Sequence, residues 1–266
     1  MQPFDIKSLP APLRTLVINI QRLWFAWCCL ITLVVGLFLL LPYFVVFNFI
    51  HEANAKKYAH WITRLWGKSI LAFMLIKVSS EGEEKLQDQA QVIVSNHASL
   101  IDIPVCMSTS PVQFSFLAKI EVDKIPIVGY LARNMHVYVD RKSFESRKQT
   151  FNRMKKHLDG GHSILIYPEG TRNRSEALLN GFYDGAFKLA IENQKPVSVV
   201  TICGSDKANS PKHPFQASPA WIHCIWDEPI STVGMTVEND LKRLKQIARD
   251  RMLANLESYN TSLRLQ

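Results

Sequence analysis

The amino-acid sequence predicts an α/β domain, a mixed and largely parallel sheet flanked by helices, preceded by an N-terminal membrane-embedded helical segment. Two patterns predict it. From residue 91 onward, short runs rich in β-branched and aromatic residues alternate with longer amphipathic stretches, the signature of strand–helix–strand units. Before that, LWFAWCCLITLVVGLFLLLPYFVVFNFI runs from Leu23 to Ile50 without one charge, longer than a buried core helix requires.

The apolar run is the first element. A secretory leader would have a shorter apolar core followed by a small-residue cleavage site, whereas HEANAKKYAH follows here, so the segment is expected to be retained. As a straight helix it would measure about 42 Å against roughly 30 Å of hydrocarbon, and Pro42 stands where it would break. Both flanks are basic, with Lys7, Arg14 and Arg22 before the run and Lys56, Lys57, Arg64 and Lys68 after it. That symmetry suits a bent hairpin with both ends on the cytoplasmic side, which the active site would also face; a single tilted span is the alternative. AHWITRLWGKSILAFML, about residues 59–76, places Trp61, Leu65, Trp66, Ile70, Phe73 and Met74 at helical spacing. It is read as an amphipathic helix that lies either at the membrane interface or on the soluble core. The expected division is a membrane-associated helical region over 1–80 and an α/β domain over 81–266, meeting near the turn-like SSEGEE.

Within the α/β part, QVIVSN reads as a short buried strand, IPVCMSTS as the start of a helix, and VQFSFLAK and MHVYVDR as strands. FESRKQTFNRMKKHL is a helix with Phe144, Phe151, Met154 and Leu158 on one side, which leaves a basic face for solvent, for anionic lipid or for an acidic carrier protein. HSILIYPEG, PVSVVTICG and AWIHCIWDEPI follow as strands, GAFKLAIENQ and ENDLKRLKQIARDRMLANLESYN as helices.

Lys and Arg number 31 against 23 Asp and Glu, a formal +8 that favours anionic partners: lipid headgroups, phosphorylated substrates or nucleic acid. The charge comes without an aromatic-rich basic strand or a recognition helix, so nucleic acid is not an expected partner. Cys28, Cys29, Cys106, Cys203 and Cys224 are odd in number and show no CxxC pairing, which argues for a reducing compartment and against a disulfide framework or a zinc site. His97, Asp102, His157 and His162 lack the usual ligand spacings, and no metal is expected.

Two stretches carry chemistry. In VSNHASLID, Val94 to Asp102, five residues of straight helix would turn about 500°, so His97 and Asp102 can meet only if the chain turns between them. A strand ending at Asn96 and a helix starting near Asp102 supply that turn, at the strand-to-helix loop where doubly wound sheets bind ligands. An aspartate there can orient the imidazole and leave its other nitrogen as a base; alternatively Ser99 and Asp102 form a capping pattern and His97 bonds to backbone. In LIYPEGTRNRSE, Leu165 to Glu176, a strand ends in a carboxylate, a glycine, a hydroxyl and a guanidinium in sequence, a composition suited to a phosphate. GHSIL at Gly161 is no nucleophile elbow, for it lacks the final glycine and runs into a buried strand.

These blocks resemble the 1-acylglycerol-3-phosphate acyltransferase family, whose pattern reads N-H-x-x-x-x-D, then an F-I-D-R-like strand end, then F-P-E-G-T-R-S. Asn96, His97 and Asp102 match the first block. Tyr138, Val139, Asp140 and Arg141 match the second, with Met135 where the family usually has glycine. Tyr167, Pro168, Glu169, Gly170, Thr171 and Arg172 match the third, with Tyr for Phe and Asn173 for Ser. FLAKIEVDKIPIVGYLARN, containing Lys119, Pro126 and Gly129, resembles the intervening segment, whereas KPVSVVTI lacks the second proline of the usual P-V-x-P. The likeness runs from about Val92 to Ile230.

The resemblance implies a membrane-bound acyltransferase that moves a fatty acyl group from acyl-CoA or acyl carrier protein to the free hydroxyl of lysophosphatidate, giving phosphatidate and needing no cofactor. His97 would be the general base and Asp102 its orienting partner. Arg172, with Lys119 and Arg141, would hold the acceptor phosphate; Glu169, Gly170 and Thr171 would shape that loop, and backbone near Gly170 would face the developing oxyanion. Another lysophospholipid or lyso-lipid acceptor stays open, and so does a different class of protein, a non-catalytic membrane lipid-binding or transfer protein.

Overall fold

The computed structural model describes residues 9–119, 124, 137–139 and 144–265. Helix α1 (Ala11–Phe49) starts with a proline in its first turn, where a missing N–H leaves no bond unmade, and contains Pro42. The expected break at Pro42 does not occur. Proline removes one donor from the ladder, and the apolar turns on either side carry the helix through it; the chain leaves helical geometry at Ile50, beside the polar Asn48, His51 and Glu52.

Helix α2 (Glu52–Phe73) then returns antiparallel along α1. Tyr43 and Thr63 share a buried hydroxyl hydrogen bond of 2.8 Å, Gly36 faces Trp66, and the Trp27 indole donates to the Phe73 carbonyl at 3.4 Å. The hairpin is therefore made by α1 and α2 rather than by a bend within the apolar run. Of the two tryptophans in α2, Trp66 packs on the domain core, as one reading of that helix expects, and Trp61 is exposed.

Strand β1 (Ile76–Glu81) follows, with alternating burial, inside the stretch expected to be membrane-associated. The other elements are β2 (Val92–Ser95), α3 (Asp102–Thr109), β3 (Phe114–Lys119), β4 (Val137–Val139), α4 (Phe144–Asp159), β5 (Ser163–Ile166), α5 (Gly185–Glu192), β6 (Val197–Cys203), α6 (Ser205–Ala208), β7 (Ala220–Trp226) and α7 (Val237–Leu265). The described strands form one sheet in the order β1-β7-β6-β2-β5-β3-β4, and the only antiparallel pair is β6 with β7. This is the mixed, largely parallel sheet the sequence predicts.

One face carries Ile70, Leu71 and Met74 of α2 with Val105 and Cys106 of α3, against Ile93, Leu165, Ile202 and Trp226. The other carries Leu158 of α4, Phe187 of α5 and Leu244 and Met252 of α7, against Val92, Val94, Ile164 and Val199. Strand β2 is covered on both faces, which is why its four residues are all buried and why VIVS shows no polar alternation. From β2 the chain crosses to β3 through α3 on one face, and from β5 it crosses to β6 through α5 on the other. The crossovers after these two neighbouring strands therefore leave toward opposite faces at the carboxyl ends of β2 and β5, the switch point at which open α/β sheets place their ligands.

Candidate active site

Asn96, at the end of β2, is buried and turns its amide across the sheet. It donates to the Ile202 carbonyl and accepts from the Ile202 amide, both at 2.8 Å, and so fixes the point where the chain leaves the strand. The next five residues form a tight turn around one oxygen. Asp102 Oδ2 accepts from His97 Nδ1, Ala98 N and Ser99 N, each at 2.8 Å.

Asp102 is fully buried, and a buried carboxylate is tolerable only with such donors. The aspartate holds the turn and the imidazole together, and no side chain caps α3. Ser99 does not cap α3 through Asp102; its hydroxyl accepts from Ile101 N at 3.1 Å and donates to the Asn209 carbonyl at 2.8 Å. With Nδ1–H given to Asp102, the lone pair of His97 lies on Nε2, and the ring is partly exposed.

The loop after β5 closes against this turn. Tyr167 stacks on the His97 ring with centroids 4.0 Å apart and planes inclined by 15°. Glu169 is buried; Oε1 accepts from His97 N at 2.8 Å and Oε2 from Asn180 N at 2.9 Å. Asn173 N donates to the His97 carbonyl at 2.7 Å. Both backbone groups of His97 are therefore held by the loop that carries Arg172.

Gly170 sits at φ +71°, and a Cβ there would come within 2.8 Å of the Tyr183 ring, so the turn needs glycine. Its amide donates to the Tyr167 carbonyl at 3.0 Å and is engaged inside the turn instead of facing an oxyanion. Thr171 is exposed. Arg172 is half-buried, and its Nη1 is shielded from solvent with no hydrogen-bond partner among the described residues. Lys119 ends β3, next to β5, but Arg141 lies outside the described residues.

Sequence reading missed Tyr167, Asn173 and Asn180 as parts of the site. The hint was present in the position of Tyr167 two residues before Glu169, but its partner His97 is far away in the chain.

Burial, ahead of nearby Cys106 and Asp102, pushes the Tyr167 phenol well above its ordinary pKa. The same cause raises the Cys106 thiol, and it lifts Cys203 and Cys224 to about 12. These thiols stay protonated and are no nucleophiles. Burial also raises Glu169, opposed by the amides of Asn180 and His97. Among the described residues, no three His, Cys, Asp or Glu side chains gather as a metal site.

An acyltransferase family model matches residues 77–205. The chain is 31% identical over 206 residues to a chloroplastic 1-acyl-sn-glycerol-3-phosphate acyltransferase of Arabidopsis thaliana, covering 75% of this chain and 56% of that one. It is 27% identical over 208 residues to the 1-acyl-sn-glycerol-3-phosphate acyltransferase of Saccharomyces cerevisiae, covering 77% and 68%. A lyso-ornithine lipid O-acyltransferase of Pseudomonas aeruginosa is 30% identical over 141 residues, 53% of each chain. The chain spans about half the length of the first curated relatives it matches.

The crystal structure of the 1-acyl-sn-glycerophosphate acyltransferase PlsC from Thermotoga maritima superposes with a TM-score of 0.77 at 22% identity, covering 92% of this chain and 97% of that one, and so shares the fold. The matched segment runs from β1 through β6 and takes in both loops that meet at His97, and with these relatives aligned along it the chain belongs to the acyltransferase family that includes the 1-acyl-sn-glycerol-3-phosphate acyltransferases.

Proposed function

We propose that this chain is a membrane-bound acyltransferase that moves a fatty acyl group from an acyl thioester, acyl-CoA or acyl carrier protein, to the free hydroxyl of lysophosphatidate, giving phosphatidate. One observation carries the reading: His97 gives Nδ1 to a buried carboxylate, keeps Nε2, and is bonded through its backbone to the loop of Arg172.

The acceptor hydroxyl attacks the thioester carbonyl while Nε2 of His97 takes its proton. The tetrahedral intermediate collapses with loss of the C–S bond, and the imidazolium returns the proton to the leaving sulfur. Asp102 fixes the ring and stabilises the imidazolium, as the acid does in a hydrolase triad. A thioester is already activated, so the reaction needs no covalent acyl-enzyme, in keeping with the protonated buried thiols. Arg172 supplies a fork for the acceptor phosphate, with Lys119 and Arg141 as further cations.

Helix α1, with mean hydropathy 2.7 over its most apolar window, is long and apolar enough by length and composition to cross a membrane. It anchors the domain where acceptor and product reside, with the active site facing the cytoplasm. A second reading, an acceptor without a phosphate monoester, is favoured by the lyso-ornithine lipid relative.

The test is purified protein in detergent with labelled acyl thioester and a panel of lyso acceptors. Lysophosphatidate should be the preferred acceptor, and His97→Ala should lower transfer by about 10² to 10⁴-fold in a folded protein. A tenth of the wild-type rate in that variant would rule out the general-base role.

A further inference from the structure

Tyr167 lies against His97, yet none of the acyl-transfer steps uses it. Its ring is face to face with the imidazole, centroids 4.0 Å apart and planes inclined by 15°. Behind it stands Phe116 of β3, with centroids 6.5 Å from Tyr167 and planes inclined by 20°, and Phe114 meets Phe116 edge-on at 4.9 Å. Tyr167 is thus held between the imidazole and an aromatic column rising from β3. Its backbone is fixed as well, because its carbonyl accepts from Gly170 N at 3.0 Å and the next carbonyl, of Pro168, accepts from Tyr183 N at 2.9 Å.

The hydroxyl and the face of this residue differ in what they can do. The hydroxyl is shut away from solvent beside the Cys106 thiol, with no hydrogen bond to a described residue, and burial keeps its proton on. A phenol so placed has no route by which to relay a proton. The face carries a negative π cloud, and a cation within about 6 Å of the ring centroid is attracted to it, more strongly where water is excluded. Neutral imidazole gains little from that cloud. Imidazolium gains more, and His97 becomes imidazolium when it takes the acceptor proton. Asp102 bonds the edge of the imidazole through Nδ1, so the carboxylate and the π face meet the new charge from different directions.

We propose that Tyr167 is a positioning residue for the base: its face holds the imidazole parallel to itself, so that Nε2 keeps one direction, and stabilises the imidazolium that forms there. A single hydrogen bond from Nδ1 would let the ring tilt about that bond, and the stack removes this freedom. The inference rests on the general-base reading of His97, and its charge-stabilising half can be measured without turnover.

The experiment uses the full chain in detergent with isotope-labelled histidine, and NMR follows the His97 ring, whose signals are assigned by their loss in His97→Ala. Wild type, Tyr167→Phe and Tyr167→Leu are titrated, with Tyr167→Met as a second ringless variant whose flexible side chain fills the space if leucine prevents folding. Asp102 of α3, and Glu169 and Arg172 of the loop after β5, are the same in all of them. Loss of a face that favours the charged form lowers the pH at which His97 takes its proton, and the expected change is about half a unit to one and a half units. In the same ringless variant kcat should fall by about threefold to thirtyfold, with the acceptor KM changed by less than about twofold. Tyr167→Phe returns the ring without the hydroxyl and should recover about half or more of both losses.

A folded ringless variant whose His97 titrates as in the wild type would overturn the proposal. Equal losses in Tyr167→Phe and Tyr167→Leu would overturn it too, by moving the role to the hydroxyl, and so would a rise in acceptor KM at unchanged kcat, which would make Tyr167 a wall of the acceptor site. The expected titration shift in a chain that transfers no acyl group to any lyso acceptor would leave the stack standing and overturn the function instead.

Discussion

At Glu169 a buried carboxylate accepts one backbone amide on each oxygen, and one of those amides belongs to His97. A glutamine offers one acceptor and one NH₂, so Glu169→Gln must turn a donor toward a donor. The expected cost is about 1–3 kcal/mol, or a fall in Tm of roughly 2–4 °C for each kcal/mol, with kcat reduced more than the acceptor KM because the base is displaced and the phosphate site is not. Burial raises the Glu169 pKa, so the folded state binds its proton more tightly than the unfolded one. Its contribution is then present below the ordinary carboxyl pKa and lost as pH rises through the raised value, and unfolding measured across that range should show the penalty of Glu169→Gln shrinking upward. Arg172 differs, for its buried Nη1 has no described partner and gains one when an anion binds. Arg172→Lys keeps the charge and loses the fork, so it should raise the acceptor KM clearly more than the donor KM, with Arg172→Ala worse. If the donor KM rises instead, the loop holds the phosphates of the donor. The pair His97 and Asp102 was legible in sequence because one short turn contains both. Glu169 could be named but not understood, because its partners are amides 72 and 11 residues away that only the fold brings near.

Among the elements, those buried on both faces were the plainest to read: the four residues of β2 and the seven of β6 are all buried, and each appears in sequence as a short, mostly apolar run rich in valine and isoleucine, broken only by small hydroxyl residues. Strand β1 was not recognised because it is an edge strand whose IKVSSE alternates burial and ends in serines and a glutamate. The antiparallel direction of β7 was equally hidden, since direction depends on how the chain returns from the α6 region and not on composition. The bent hairpin expected within the apolar run does not form, because Pro42 disturbs one hydrogen bond whereas the polar residues around Ile50 end the helix, and it is α2 that returns along α1. What seats α2 on the domain is small and specific. A Cβ at Gly67 would lie 2.9 Å from the Pro104 carbonyl oxygen and 3.1 Å from both Met107 Cβ and Ser108 N, so the two helices touch at their backbones. Gly67→Ala must push α2 away from α3, the helix that begins with Asp102. We expect about 1–3 kcal/mol of destabilisation, seen as a lower Tm in detergent, together with a several-fold lower kcat. Gly181→Ala, where a Cβ would meet nothing within 4 Å, should leave both unchanged. An equal loss in the two variants would show that α2 and α3 are not in close contact.

For the whole molecule, the packing of α1 limits how a bilayer can surround it. At 39 residues α1 is about 58 Å long, nearly twice the hydrocarbon thickness. Yet from Trp27 to Tyr43 it lies along α2, and α2 lies on α3 of the soluble domain. A bilayer crossed by the middle of α1 would have to contain α2, with Arg64 and Lys68, and the domain layer beneath it. Buried charge of that kind is expensive in hydrocarbon. Helix α1 should therefore lie within one leaflet, with Leu23, Leu30, Phe38, Leu41 and Phe49 in lipid and its inner side on α2. Two consequences separate this arrangement from a single tilted span. Tags at residues 1 and 266 should lie on the same face of sealed vesicles, so that added protease removes both or neither. The protein should also resist extraction by high salt, because the attachment is apolar, and be released by detergent. Removal of one tag with protection of the other would establish a span, and would require α1 to separate from α2 along the contacts from Trp27 to Tyr43 when it meets a membrane.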